Sequence, residues 1–184
     1  MIIAVTGTPG VGKTTIARLL SERLGYEYVD LKDLAVSSGL GEPQGDETAI
    51  DVERLPEVAR TKLEGKNAVV DGHLSHFIPA DVVIVLRADP RILARRLENR
   101  GYSRAKIADN VEAELIDLIL VEALERSTSV IEVDTTGKTP EEVVDEILSL
   151  LRSGVKKRVG VVDWTPYYDE LVEYLHVRGK NENQ

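Results

Sequence analysis

The hydrophobic residues of the chain fall into short uninterrupted runs that polar and glycine-containing segments separate. Four such runs, at residues 2–6, 68–71, 81–86 and 130–133, are rich in branched apolar residues, and a fifth run lies at 26–30. Short apolar runs are typical of strands that are buried on both faces of a parallel sheet. The pattern therefore predicts five strands.

Helical periodicity appears between the predicted strands. Ile16, Leu20 and Leu24 recur every four residues, which predicts a helix over 13–24 that ends at Gly25. Further helices are predicted over 56–64, 89–99, 111–122 and 139–151. Strands that alternate with helices predict a three-layer α/β fold, in which helices cover both faces of the sheet and ligands bind at the carboxyl ends of the strands.

Two segments depart from this alternation. Residues 32–50 contain three glycines and a proline, and we predict a loop there beyond a helical turn at 33–36. The C-terminal part is predicted to contain an extended segment, a helix and a disordered tail, at 159–162, 166–175 and 178–184. Because 184 residues with 42% hydrophobic content suffice for one sizeable core, residues 1–184 are predicted to form a single domain.

Composition narrows the classes of function. The chain has no cysteine, which excludes disulfides, thiol catalysis and cysteine-bound metal, so its chemistry must come from oxygen and nitrogen groups. A formal net charge of -9 argues against direct nucleic-acid binding, although it suits a basic protein partner. The sequence shows neither a membrane-spanning run of about 20 apolar residues nor a signal peptide, and we expect a cytoplasmic protein without a membrane partner.

The segment GTPGVGKT at residues 7–14 fits the pattern G-x-x-x-x-G-K-[ST]. Glycines at these positions let the backbone curl around a phosphate, so that amides and the positive helix end face the anion. Lys13 is predicted to bind the β- and γ-phosphates of ATP, and Thr14 to place its hydroxyl on Mg²⁺. The predicted ATP-binding residues of the loop are Gly10, Val11, Gly12, Lys13, Thr14 and Thr15. A bare glycine-rich turn is the alternative, and the strand and helix around the loop argue against it.

Polar residues also follow the third predicted strand. Asp71 ends that strand, a position from which a carboxylate orients Mg²⁺ or its waters, and the alternative is a simple Asp-Gly turn. His73 is predicted to position or deprotonate a water, whereas His76 fits that role or a solvent-facing loop equally well. Arg100, at a predicted helix end, is expected to contact ATP, although helix arginines commonly form solvated faces.

Four motifs give the chain its resemblance to a known family: GTPGVGKTT, VVDGHLSH, VLRADP and RGYSRAKIADN, which begin at residues 7, 69, 85 and 100. The chain resembles the nucleoside monophosphate kinases and, more closely, the adenylate kinase isoenzyme 6 family, over about residues 1–151. The resemblance implies a P-loop fold whose five parallel strands have the order 2-3-1-4-5. It also implies a nucleotide-acceptor region near 30–49 and a lid near 99–109, which leaves 155–184 as a C-terminal extension.

The same resemblance implies what the chain does. The activities of the chain would be phosphoryl transfer from ATP to AMP or another nucleoside monophosphate, and ATP hydrolysis, with Mg²⁺ as the metal. Lys13, Asp71 and His73 would be the catalytic residues, and Thr14 and Asp71 the metal-binding ones. The resemblance further implies a role in small ribosomal subunit maturation and rRNA processing. The partner would be a small-subunit ribosomal protein of the S-eleven family, with transient association with the subunit.

The chain also departs from ordinary adenylate kinases. Those enzymes have D-G-F-P-R where residues 71–75 read DGHLS, so an arginine that would hold the AMP phosphate is missing. Val36 and Lys106 likewise occupy places where arginines would be expected. Fewer charge-assisted partners for an acceptor phosphate favour hydrolysis or slow transfer. Two alternatives stay open: a nucleotide-switched assembly factor for a ribosomal protein, and another small-molecule P-loop kinase.

Overall fold

The computed structural model describes residues 1–44 and 47–175, and the tail for which the sequence predicts disorder lies outside these ranges. The strands are β1 (Ile2–Gly7), β2 (Glu27–Asp30), β3 (Gly41–Gln44), β4 (Glu47–Ile50), β5 (Ala68–Asp71), β6 (Val82–Arg87), β7 (Val130–Asp134) and β8 (Lys157–Arg158). The α-helices are α1 (Lys13–Leu24), α2 (Leu31–Ser37), α3 (Leu55–Leu63), α4 (Pro90–Asn99), α5 (Arg104–Leu115), α6 (Leu118–Arg126), α7 (Pro140–Arg152) and α8 (Tyr168–Leu175). Within the described ranges, none of them is long and apolar enough to pass through a bilayer.

Six parallel strands form the central sheet, in the order β2-β5-β1-β6-β7-β8. The predicted three-layer fold and the order 2-3-1-4-5 of its five strands are confirmed, with β8 added at one edge. In the register of the sheet, Val5 pairs with Asp71 on one side and with Ile84 on the other. The carboxyl ends of β1, β5 and β6 therefore lie side by side, at the edge where ligands bind in such folds.

The core consists of two apolar layers, one on each face of the sheet. Alternation along β1 shows the arrangement, because Ile3 and Val5 face one layer and Ala4 faces the other. Helices α1, α4, α5, α7 and α8 contribute buried residues to the first layer, and α2, α3 and α6 to the second. The inner strands β1, β5, β6 and β7 are covered on both faces, which explains why they are nearly continuous apolar runs rather than alternating ones.

Residues 32–50 are more ordered than the sequence predicts. The helical turn predicted at 33–36 is part of α2, and in place of the loop beyond it the chain forms an antiparallel hairpin of β3 and β4. Asp30 caps α2 by accepting a hydrogen bond from the amide of Asp33, at 3.1 Å. The glycine that suggested a loop has a packing role, since a Cβ at Gly41 would lie 2.7 Å from Cγ2 of Val36.

Two other boundaries also differ from the prediction. The helix predicted over 111–122 is interrupted at Asp117, which has a φ of 58° and separates α5 from α6. The carboxylate of Asp117 accepts a hydrogen bond from the buried Arg87, and this tertiary bond accompanies the break. In the C-terminal part the extended segment is β8, earlier than predicted, and α8 begins at Tyr168 after a 3-10 turn.

Removal of the N-terminal cap of α7 should lower the free energy of unfolding. The hydroxyl of Thr139 accepts from the amide of Glu142 at 3.2 Å, and the Glu142 carboxylate accepts from the amide of Thr139 at 2.8 Å. We expect Thr139→Ala to lower the free energy of unfolding by about 1 kcal/mol, which corresponds to about 2–4 °C in melting temperature. Thermal unfolding measures the change, and Thr61→Ala on the exposed side of α3 is the control. Equal melting temperatures for the two variants would contradict the assignment.

Candidate functional site

The loop between β1 and α1 turns sharply at the carboxyl edge of the sheet. Gly10 and Gly12 have φ values of 94° and 102°, which side chains other than that of glycine rarely tolerate. A Cβ at Gly10 would also lie 2.8 Å from Cδ1 of Leu93 on α4. Gly12 caps α1 without a side-chain hydrogen bond, so no side chain caps the helix end that carries partial positive charge. This arrangement suits an anion.

A cavity of about 850 Å³ opens beside the loop, within the size range of small-molecule sites. Its walls come from the loop, from α2 and β4, from the turn after β5, and from the segment around α5 and α6. The predicted site residues that line it are Gly10, Gly12, Lys13, Thr14, Thr15, His73 and Arg100. Val11 instead lies in the core, where its amide donates to the carbonyl of Thr8.

Lys13 lies where the loop meets the cavity. Its ammonium donates to the carbonyls of Gly7 at 2.8 Å and Thr8 at 3.1 Å. Burial lowers the pKa of Lys13 to about 8, while the carboxylates of Asp71 and Glu114 oppose the shift. Arg100, which lines the same cavity, lowers the pKa of this ammonium further.

Asp71 is buried at the end of β5. Its Oδ2 atom accepts hydrogen bonds from the Thr14 hydroxyl at 2.7 Å and from the Tyr28 hydroxyl at 2.9 Å. Burial and the bond to Asp71 raise the pKa of Tyr28 to about 12, so the phenol remains a donor. A carboxylate and a hydroxyl this close provide the oxygen donors that Mg²⁺ takes from proteins, with phosphates and water completing its shell. The donor set fits Mg²⁺.

The two histidines after Asp71 have different surroundings. His73 is exposed and lines the cavity, and its carbonyl accepts from the Thr6 hydroxyl at 3.2 Å. His76 is 1% exposed, and the solvent-facing alternative is therefore wrong. Its Nδ1 lies 2.9 Å from the Thr6 hydroxyl and its Nε2 lies 3.0 Å from the Glu122 carboxylate. His76 thus connects β1 with α6 below the cavity.

Hydrogen bonds to residues outside the loop hold the phosphate loop in place, and the sequence did not predict them. Arg96 donates to the carbonyl of Gly10 at 3.1 Å, and the Thr135 hydroxyl donates to the carbonyl of Val11 at 3.3 Å. The Thr8 hydroxyl donates to the Glu114 carboxylate at 2.7 Å. These partners are distant in sequence, and no local pattern marks them.

The comparisons with known proteins agree with this geometry. Residues 3–117 match the family model described as "AAA domain". The chain is 66% identical to the "Putative adenylate kinase" of Thermococcus onnurineus over 175 residues, which are 95% of this chain and 97% of that protein. It is 60% identical to the protein of that name from Pyrococcus furiosus, over 97% of this chain and 99% of the relative. The chain belongs to the family of these "Putative adenylate kinase" proteins. The resemblance to nucleoside monophosphate kinases is confirmed at the family level.

Solved structures show that the family has the P-loop kinase fold. A gluconokinase from Sinorhizobium meliloti matches with a TM-score of 0.56 and 19% identity, over 83% of this chain and 92% of that one. A shikimate kinase from Aquifex aeolicus matches with a TM-score of 0.52 and 21% identity, over 84% of this chain and 98% of that one. At these identities the likeness concerns the fold alone.

The buried His76 should make folding stability depend on pH. Burial holds the pKa of His76 below its usual 6.5, against the opposing effect of Glu122, while Arg126 and His73 lower it further. The unfolded chain then binds more protons than the folded one as the pH falls through 6.5. Stability is full above that pH and declines below it.

We expect His76→Gln, which does not titrate, to lose less stability than the wild type between pH 7.5 and pH 5.5. Melting temperatures of both proteins at the two pH values measure this difference. Groups remote from His76 titrate alike in both proteins, so their contribution cancels in the comparison. Identical pH dependence in the two proteins would contradict a neutral, buried His76.

Proposed function

We propose that the chain binds Mg²⁺-ATP in this cavity and transfers the γ-phosphoryl group to AMP or another nucleoside monophosphate. The observation that carries the proposal is the convergence on one cavity of the glycine loop, the start of α1, the Lys13 ammonium and Thr14, whose hydroxyl donates to the buried carboxylate of Asp71. The name given to the archaeal relatives supports AMP as the acceptor.

Each residue of the site has a role in this proposal. The Lys13 ammonium and the amides at the start of α1 would bind the phosphates of ATP, with Thr15 and Arg100 as further ATP contacts. Thr14 and Asp71 would hold Mg²⁺, Asp71 through a water. The metal would supply positive charge that balances the charge of the phosphates.

The acceptor side of the cavity supports ATP hydrolysis as a second activity. Its described lining residues include Lys32, Thr48 and Ile50. Among the described residues that line the cavity there is one arginine, Arg100, and it lies on the loop side. Ser75 stands where ordinary adenylate kinases carry an arginine, and its buried hydroxyl donates to the carbonyl of Val5 at 2.8 Å. An acceptor phosphate would have few charge-assisted partners, so water held by His73 would compete with it.

A role in ribosome assembly extends the proposal. Its support is the resemblance carried by the D-x-H element at Asp71 and His73, together with the net charge of -9, which complements a basic protein. The partner would be a small-subunit ribosomal protein of the S-eleven family in the cytoplasm, and nucleotide turnover would control its binding and release. This role in maturation of the small subunit would involve transient association with it.

ADP formation from ATP distinguishes the activities. We expect slow ADP formation without AMP, and with AMP a yield of two ADP for each ATP consumed, because the acceptor also becomes ADP. Stimulation by the ribosomal protein without AMP would favour the assembly role instead.

Lys13→Ala should reduce every rate by about 10²–10³, the cost of removing one preorganised charge at a reacting phosphate, with melting temperature as the folding control. Retained turnover in that variant would refute the site.

His73→Ala should separate catalysis from binding. We expect ATP hydrolysis to fall about 10²-fold, the contribution typical of a general acid or base, while ATP affinity changes less than about threefold. Calorimetry measures the affinity and phosphate release measures the rate. His73→Asn, which is polar but cannot exchange a proton near neutral pH, should be equally slow. A parallel loss of affinity and rate would mean that His73 is structural.

A further inference from the structure

Glu114 lies where three parts of the molecule meet. Its side chain is 3% exposed, on α5. One carboxylate oxygen accepts from the Thr8 hydroxyl of the phosphate loop at 2.7 Å. The other accepts from the indole of Trp164 at 3.2 Å and from the guanidinium of Arg87 at 2.8 Å. Loop, sheet and C-terminal segment thus share one carboxylate.

We propose that Glu114 is a positioning residue that couples the phosphate loop, through Thr8, to the C-terminal segment 155–175, through Trp164. The coupling rests on the proposed function, since it concerns ATP bound at that loop. In this arrangement the C-terminal segment is a part of the nucleotide site that acts through Glu114, although Trp164 does not line the cavity.

Charge pairing keeps Glu114 in place. Arg87 is 2% exposed and donates to three carboxylates, those of Glu114, Asp117 and Glu132. Rotation of Glu114 away from Arg87 would leave the buried Nε–H of Arg87 without that acceptor, which is costly. Both carboxylate oxygens of Glu114 are therefore held in position, and the Thr8 hydroxyl has a fixed acceptor.

The C-terminal segment is attached to this network at a second point. The amide of Val161 donates to the carboxylate of Glu132 at 2.8 Å, while Glu132 also pairs with Arg87. Trp164 and Val161 are three residues apart, so the segment cannot shift without straining both bonds. Its position depends on the same buried guanidinium that orients Glu114.

The segment also contacts both helices next to the turn that carries Arg100. The guanidinium of Arg91, at the start of α4, lies 3.6 Å from the ring centroid of Tyr167 and pairs with Glu170 at 3.2 Å. Leu171 of α8 is 1% exposed and packs in the layer to which α4 and α5 contribute. The segment is therefore in contact with the helices that position Arg100 as well as with the loop's anchor.

Trp164 is the single tryptophan of the chain, so tryptophan fluorescence reports on the surroundings of Trp164, which include this contact. In the full-length protein, we expect Mg²⁺-ATP to change its emission, because ATP contacts the loop that Thr8 belongs to. Glu114→Gln should lose most of that change and bind ATP about fivefold more weakly, as expected for one lost net hydrogen bond. Thr8→Val should do the same, and Thr8→Ser, which keeps the hydroxyl, should restore both properties.

Leu63→Ala is the control for lost stability, because Leu63 is buried in the second layer, on the face of the sheet opposite the one where α5 and α8 pack. It should lower the melting temperature, while ATP affinity and the emission change stay at wild-type values. If Glu114→Gln fails to fold, the comparison of Thr8→Val with Thr8→Ser decides the question.

The outcomes separate this inference from the proposed function. Wild-type affinity and emission change in both Glu114→Gln and Thr8→Val would overturn the coupling and leave the proposed function intact. An equal loss of affinity in Leu63→Ala would also overturn it, because general destabilisation would then explain the effect. A wild-type protein that does not bind Mg²⁺-ATP would overturn the proposed function and the coupling together.

Discussion

The parallel pairing of β1 with β5 is the constraint on which the site depends. The register places Val5 beside Asp71, so the carboxylate at the end of one strand lies next to the loop that begins where the other ends. The Thr14 hydroxyl then reaches Asp71 at 2.7 Å, although 57 residues separate them. A shift of one residue in this register would turn Asp71 toward the other face of the sheet. The geometry of the proposed phosphate site is thus decided by strand pairing in the core.

The features that the sequence predicts are those with a local physical cause. Continuous apolar runs identified the strands because a sheet covered on both faces requires them, and the glycine spacing located the loop because only glycine tolerates the φ of Gly10 and Gly12. The hairpin of β3 and β4 was missed, since its glycine serves close packing against Val36 rather than a loop. The break at Asp117 and the contacts of Arg87 and His76 depend on partners distant in the chain, and no spacing reveals them.

Charge is distributed unevenly around the cavity. On the loop side, the charge of Arg100 lowers the pKa of Lys13, and the buried carboxylates of Asp71 and Glu114 act in the opposite direction. Such a cluster is unfavourable by itself, because burial costs the carboxylates of Asp71 and Glu114 much of their hydration. It is tolerable where hydroxyls of Thr8, Thr14 and Tyr28 donate to the carboxylates. The polar interior near the loop is therefore one connected network rather than a set of isolated pairs.

This uneven distribution bears on what the site does. A phosphoryl donor needs dense positive charge around its phosphates, and the loop side provides it. An acceptor phosphate needs its own cations. Among the described residues that α2 and β4 contribute to the lining of the cavity, the cation is Lys32. Lysine acts as a flexible point charge and lacks the planar, two-pronged grip of arginine on a phosphate. In the proposed function the site would therefore hold a donor firmly and an acceptor loosely, and a water beside the exposed His73 would take the place of the acceptor.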